Sequence, residues 1–218
     1  EEEEIVVKGS KPNSVDEGGD GNMGGPGGGF YPGGPEGPSV GEGGGETLSE
    51  QQQNDCRDRN ALTAEGQIED MPDNGSKEYG SVIYRDASGA VRHSAPIPGP
   101  GPRITLEAVL GWLSTNGVAI SQVIGFVHNH PEAEYGQTGD EARGNRYPSD
   151  NDWNFAEYMV NHGADPGFAL YLMDTKDKMR EFEYADRSTY ESLSWADKTS
   201  LYGRDLPPVM QSDGTSCG

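Results

Sequence analysis

His128 and His130 stand two residues apart at the end of the apolar run Gln122-Val-Ile-Gly-Phe-Val127, and Pro131 follows them. A strand repeats its facing direction every second residue, so this spacing turns both imidazoles to one side of a sheet, able to converge on one ion. Zinc accepts imidazole nitrogen and carboxylate oxygen, and a catalytic zinc site uses three protein ligands with the fourth position left to water. The third ligand is therefore expected to be a nearby carboxylate. Ser149-Asp-Asn-Asp152 offers Asp152 on the first turn of a helix. Together, His128, His130 and Asp152 predict a divalent-metal site, with zinc as the ion, that activates water.

Each half of the pattern also has a plainer reading. Pro148-Ser-Asp-Asn-Asp152 is a common helix start, with Ser149 capping and acids favoured by the helix dipole. His-x-His at a strand end also occurs as exposed polar surface. A metal-activated water further needs a carboxylate to take and return its proton. Glu78, just ahead of the first strand, is the candidate base, although its position alone reads as an exposed charge.

The elements that must hold these residues follow from periodicity. Ser81-Val-Ile-Tyr-Arg85 and Ala90-Val-Arg-His-Ser94 are strand-like runs around the turn Asp86–Gly89, a hairpin signal. The proline-rich segment from Pro96 to Pro102 predicts a loop. Thr105 is a plausible N-cap for a helix that turns Leu106, Val109, Leu110 and Leu113 to one face and stops at Asn116-Gly117. Residues 122–127 predict a fully buried strand. A second helix opens at Pro148-Ser149-Asp150, faces Trp153, Ala156 and Val160 inward, and ends at His162-Gly163. Strands over Phe168–Met173 and Met179–Tyr184 follow, then a final helix from Ser188 to Leu201 and a loose tail after Pro207. The order is β-β-α-β-α-β-β-α, an α/β fold predicted as a three-layer α/β/α sandwich around a mixed sheet.

A Glu before the first core strand, then His-x-His-Pro, then Ser-x-x-Asp resembles the JAMM (JAB/MPN) family of zinc metallopeptidases. The resemblance covers about residues 76–185. It implies the JAB/MPN (cytidine-deaminase-like) architecture and peptide or isopeptide hydrolysis. Carried over residue by residue, His128, His130 and Asp152 bind Zn2+, Glu78 is the acid/base, and Ser149 helps the oxyanion. The segment Glu78-Tyr-Gly-Ser-Val-Ile-Tyr-Arg85 looks especially like the JAB-type C-terminal domains of bacterial Rhs-type polymorphic toxins. That likeness implies a secreted or delivered effector (otherwise a cytoplasmic protein), a protein or peptide substrate and a cognate immunity protein.

One departure from the family pattern is the spacer of eighteen residues, 131–148, between His130 and Ser149. It contains Glu132, Glu134, Asp140 and Glu141, each an alternative ligand. With Gly136, Gly139 and Gly144 it is either a solvated acidic loop or a substrate-gating lid. Other zinc chemistries fit less well: a nucleobase deaminase needs His-x-Glu with Pro-Cys-x-x-Cys, and His-Glu-x-x-His is absent. His93 and His162 are not expected to be ligands. His162, at a helix end, is expected to meet the last-turn carbonyls.

Composition divides the chain. About half of its 33 glycines fall in the first fifty residues, so residues 1–74 read as a Gly/Glu-rich flexible linker that cannot bury enough apolar surface to fold. Within it, Cys56–Glu65 is a candidate short helix. The domain is expected over 75–206 and a flexible tail over 207–218. A net charge of −21 makes nucleic acid and anionic membranes poor partners. Cys56 and Cys217, the only two cysteines, could pair, but the preferred expectation is two exposed free thiols. The N-terminus lacks the basic region of a signal peptide and a Met, which suggests a fragment of a longer chain. Against the hydrolase stands a second reading, a non-catalytic metal-stabilised protein-binding module on the same fold.

Overall fold

The computed structural model describes residues 48–101, 103–131, 146–173, 178–194, 204–206 and 216–217. The linker expected over 1–74 ends earlier than composition suggests, because Glu50–Glu69 is a twenty-residue helix, α1. Its start is a reciprocal cap: the Gln52 amide N–H donates to Ser49 Oγ, and the Ser49 N–H donates to Gln52 Oε1. The face it buries carries Cys56, Ala61, Ala64 and Ile68 together with Arg57, Asp58 and Glu65. Small and charged residues on the inward side give the helix almost no apolar stripe. That is why a hydrophobicity pattern misses it.

Among the described residues seven strands form one mixed sheet. They are β1 (Tyr79–Arg85), β2 (Val91–His93), β3 (Ile97–Pro98), β4 (Val123–Asn129), β5 (Ala169–Met173), β6 (Met179–Glu183) and β7 (Arg204–Asp205). Neighbours run β2-β1-β4-β5-β6-β7, with β3 also paired to β1. Only β4 and β5 are parallel, and α3 (Asp150–Asn161) lies in the crossover that such a pair requires. The expected hairpin is present, with Gly89 at φ 86 in its turn. The Pro96–Pro102 loop departs from expectation in one respect: Ile97 and Pro98 pair with Gly80 and Tyr79. Proline is tolerated in this strand of only two residues.

Helices cover both faces. On one side α2 (Leu106–Asn116) and α3 bury Val109, Leu113, Trp153 and Met159 against Phe126, Leu170 and Phe182. The Thr105 cap and Gly117 stop of α2 are as predicted, with Gly117 in the left-handed region at φ 66. In α3, Trp153 and Ala156 are buried as expected, Met159 joins them, and Val160 is only half-buried. On the other side α1 packs Cys56, Ala61, Ala64 and Ile68 against Ile83, Val127 and Tyr171. Arg57 enters this face as a paired cation, 2.7 Å from Glu181 and donating to Tyr171 Oη, which in turn donates to Asp58. The final helix, α4, spans Arg187–Ser192; the remainder of the stretch expected to Leu201 lies outside the described residues after Ser194. No helix among the described residues is long and apolar enough to cross a membrane.

Cys56 and Cys217 are not free thiols. They form a disulfide, with Cα atoms 5.5 Å apart, and the Val91 N–H donates to the carbonyl of Cys217. This end of the expected loose tail is thus fixed between α1 and β2. The sequence left the pairing open and favoured free thiols because neither cysteine has a defined neighbour when one lies in a linker and the other in a tail. A cross-link over a sequence separation of 161 removes chain entropy from the unfolded state. Cys217→Ser is expected to lower unfolding free energy by about 3–5 kcal/mol in urea titrations, and reductant to do the same to the unaltered protein. Equal midpoints with and without reductant would show that the bond does not form.

Candidate metal centre

Strand β4 is buried along its whole length. Alternation turns Phe126, His128 and His130 toward α2 and α3, and Val127 and Asn129 toward α1. His128 is 0 % exposed and His130 3 %. Their rings meet edge to face with centroids 5.0 Å apart, and the two Nε2 atoms are 3.2 Å apart. Phe126 stacks on His128 at 5.8 Å. His128 Nδ1 has no hydrogen-bond partner among the described residues, so Phe126 packing holds the ring from behind.

The third candidate ligand comes from the start of α3. Ser149 caps this helix, its Oγ accepting from the Asp152 N–H, while Asp152 Oδ2 accepts from the Ser149 N–H at 2.6 Å. This reciprocal cap fixes the Asp152 side chain. Its Oδ1 lies 3.2 Å from His128 Nε2 and its Oδ2 3.6 Å from His130 Nε2. Ligand atoms about 2.0–2.1 Å from a tetrahedral zinc ion sit about 3.3–3.4 Å from one another. The two imidazole nitrogens are 3.2 Å apart, close to that value, and with one Asp152 oxygen they form a set lying within 4.8 Å of one another that could hold a metal ion.

Charge acts strongly in this buried place. Burial alone would push the His128 imidazole down, but the Asp152 carboxylate beside it and the charge of Glu78 reverse this and raise it. Burial would likewise raise Asp152. The two imidazoles outweigh it and hold the carboxyl well below the usual range.

Glu78 lies one residue before β1, which runs antiparallel to β4 with Gly80 opposite His128. The beginning of β1 therefore adjoins the end of β4, and the charge of Glu78 acts on His128 although the two lie far apart in the chain. It is 6 % exposed, not the surface charge its position suggests. Its Oε2 accepts from the Ile104 N–H at 2.8 Å, and its carbonyl accepts from the Gly99 N–H. Gly80 has to be glycine here, since a Cβ would stand 2.2 Å from the Phe126 ring. A small cleft beside Asp152 is lined by Ile104, Leu106, Val109, Phe126 and Phe155. The larger cavity, between α1 and the sheet beside Arg57 and Arg85, contains none of the five residues named above.

All five residues singled out in the sequence thus occupy this end of the sheet. No family model, curated protein or solved structure matches the chain. His93 lies elsewhere, bonded to Asn60 and Gln67, and His162 meets the Tyr158 carbonyl at the end of α3 as expected. Glu132, Glu134, Asp140 and Glu141, with most of the 131–148 spacer, lie outside the described residues. Sequence reasoning passed over Phe126, Asn129 and the Ile104 amide. For Asn129 a signal existed: an amide within a fully buried strand must find partners for its polar atoms.

The pair His128–Asp152 gives the metal-free protein a pH signature. A raised histidine contributes stability that is present below its ordinary value near 6.5 and lost as pH rises through the raised one. A lowered aspartate contributes stability present above its ordinary 3.8 and lost as pH falls through the lowered value. The contributions overlap from about pH 3.8 to 6.5. Asp152→Asn, which keeps an oxygen for the cap, should therefore lose most stability in that window and less as pH rises through the raised value of His128. Urea midpoints of both proteins across pH, in chelator, measure this; a pH-independent difference would contradict it.

Proposed function

We propose that this chain is a zinc-dependent hydrolase of peptide or isopeptide bonds, of the JAMM (JAB/MPN) kind and with that architecture. The observation that carries the reading is the buried Glu78 carboxylate beside a preassembled His128–His130–Asp152 set. A site that only held metal for stability would have no use for a buried, uncoordinating carboxylate at its edge. The donor set suits zinc, with imidazole nitrogens and a carboxylate oxygen in place of the all-oxygen shell that calcium or magnesium prefers.

Bound by these three residues, zinc would polarise the scissile carbonyl and acidify water. The chain's own groups do the rest. Glu78 takes the proton of the attacking water and returns it to the leaving amine. The Ile104 N–H fixes one of its carboxylate oxygens and thereby its direction. The Ser149 hydroxyl, which accepts from the Asp152 N–H, keeps its own proton to donate to the developing oxyanion. Phe126, Phe155 and Leu106 keep the floor of the cleft apolar, which strengthens each of these interactions.

The wider setting belongs to the same proposal. A secreted toxin effector, with a protein substrate and an immunity protein as partners, agrees with the toxin-like segment from Glu78 to Arg85. The Cys56–Cys217 disulfide supports passage through an oxidising compartment, where such bonds persist.

Glu78→Gln is expected to bind zinc with unchanged stoichiometry and to lose about 10²–10⁴-fold in turnover of a labelled unfolded protein. Chelator should abolish turnover in the unaltered protein, and added zinc should restore it. Full activity in Glu78→Gln would remove the assigned base. Stoichiometric zinc with no turnover of any protein or peptide would favour the binding module instead.

A further inference from the structure

Asn129 stands between the two imidazoles in the chain, yet its side chain leaves the opposite face of β4 and is 1 % exposed. A buried primary amide is costly unless its donors and acceptor are satisfied. Here they are, and all by one segment. The Tyr79 N–H donates to Asn129 Oδ1 at 2.7 Å, while Asn129 Nδ2 donates to the carbonyls of Asn74 at 2.8 Å and Lys77 at 3.1 Å. Glu78 lies inside that clasp, between the Lys77 carbonyl and the Tyr79 amide. On its far side the Gly99 and Ile104 amides hold its carbonyl and carboxylate.

We propose that Asn129 is a positioning residue that sets where Glu78 stands relative to His128 and His130. The inference rests on the hydrolase reading above and deepens it. The ladder between β1 and β4 has its last pair at Gly80 and His128, so the backbone before Tyr79 is beyond its reach. Asn129 takes over where the ladder stops. One side chain bonds the strand that carries the imidazoles to the segment that carries the carboxylate. Few other residues can do so: serine is too short to span three backbone groups, and leucine has no polar atom. Aspartate accepts from Tyr79 but cannot donate to the two carbonyls. None of the three bonds involves His128, His130 or Asp152, so the donor set stands without them.

The test uses the full chain carrying Asn129→Ala or Asn129→Asp, each assayed for zinc affinity, amide hydrogen exchange and steady-state kinetics. Asn129→Ala should leave zinc affinity within about threefold and KM within about twofold, while kcat falls about ten- to hundredfold, the cost of a base displaced by about 1 Å. The Tyr79 amide should exchange at least about tenfold faster as its bond is lost. A general loss of structure would instead move zinc affinity and the exchange of β5 and β6 amides. Should the alanine variant not fold, Asn129→Asp keeps the volume and the Tyr79 bond. It should then leave Tyr79 protected yet still lower kcat. A folded, zinc-loaded variant with wild-type kcat, or with unchanged Tyr79 exchange in Asn129→Ala, would overturn the proposal. Absence of turnover in the unaltered protein would strike the hydrolase reading alone, and Tyr79 exchange in the zinc-loaded variants would still decide whether Asn129 holds the segment.

Discussion

Strand β4 is hydrogen-bonded along both edges and buried on both faces, so the parity of its side chains is fixed as firmly as anything in the molecule. A slip of one residue against β1 or β5 would send His128 and His130 toward α1 and bring Asn129 to face α3. Two chemically different surfaces are thus written on alternate residues of one strand. The even positions gather imidazole nitrogens against Asp152. The odd one ties down the chain that delivers Glu78. Neither surface works if the register is free, and the apolar residues Phe126 and Val127, each packed into a different core, hold it.

The same strand explains how charge is tolerated inside so acidic a chain. The Asp152 carboxylate lies against a pair of imidazoles, which can carry a proton or a metal. The α1 face solves its own problem differently, by burying a permanent guanidinium, Arg57, against Glu181 and a tyrosine hydroxyl. Burying an ion pair contributes little net stability, since desolvation offsets most of the attraction. Arg57 meets its partners, Glu181 and Tyr171, in the orientation α1 adopts here. The two faces therefore differ in kind, one built around a variable charge and one around a fixed charge.

Much of the candidate site was legible in the sequence because it depends on short-range rules. His-x-His relies on strand alternation, and Ser-x-x-Asp relies on a helix cap. Both hold wherever a strand or helix forms at all. Glu78 was different, since nothing local marks it, and only its resemblance to a family pattern singled it out. Its burial follows from the antiparallel partner strand and from two loop amides, Gly99 and Ile104, which are remote in sequence. Of α1 only the stretch Cys56–Glu65 was legible as a candidate helix, and its full length was not, for a related reason. Its inward face is made acceptable by Glu181 and Tyr171, more than a hundred residues away, and no window of the local sequence contains them. The same long reach hid the disulfide. Contacts between residues far apart in the chain were where reading from sequence stopped.

Cys56 and Cys217 lie close to the two ends of the folded region, so their bond turns nearly all of it into a covalent ring. A single proteolytic cut within that ring opens the backbone without releasing a piece. Helix α1 and the far end of the chain would stay attached, and the nicked molecule would retain its mass until a reductant separated the parts. Such a ring amounts to tolerance of a single backbone break.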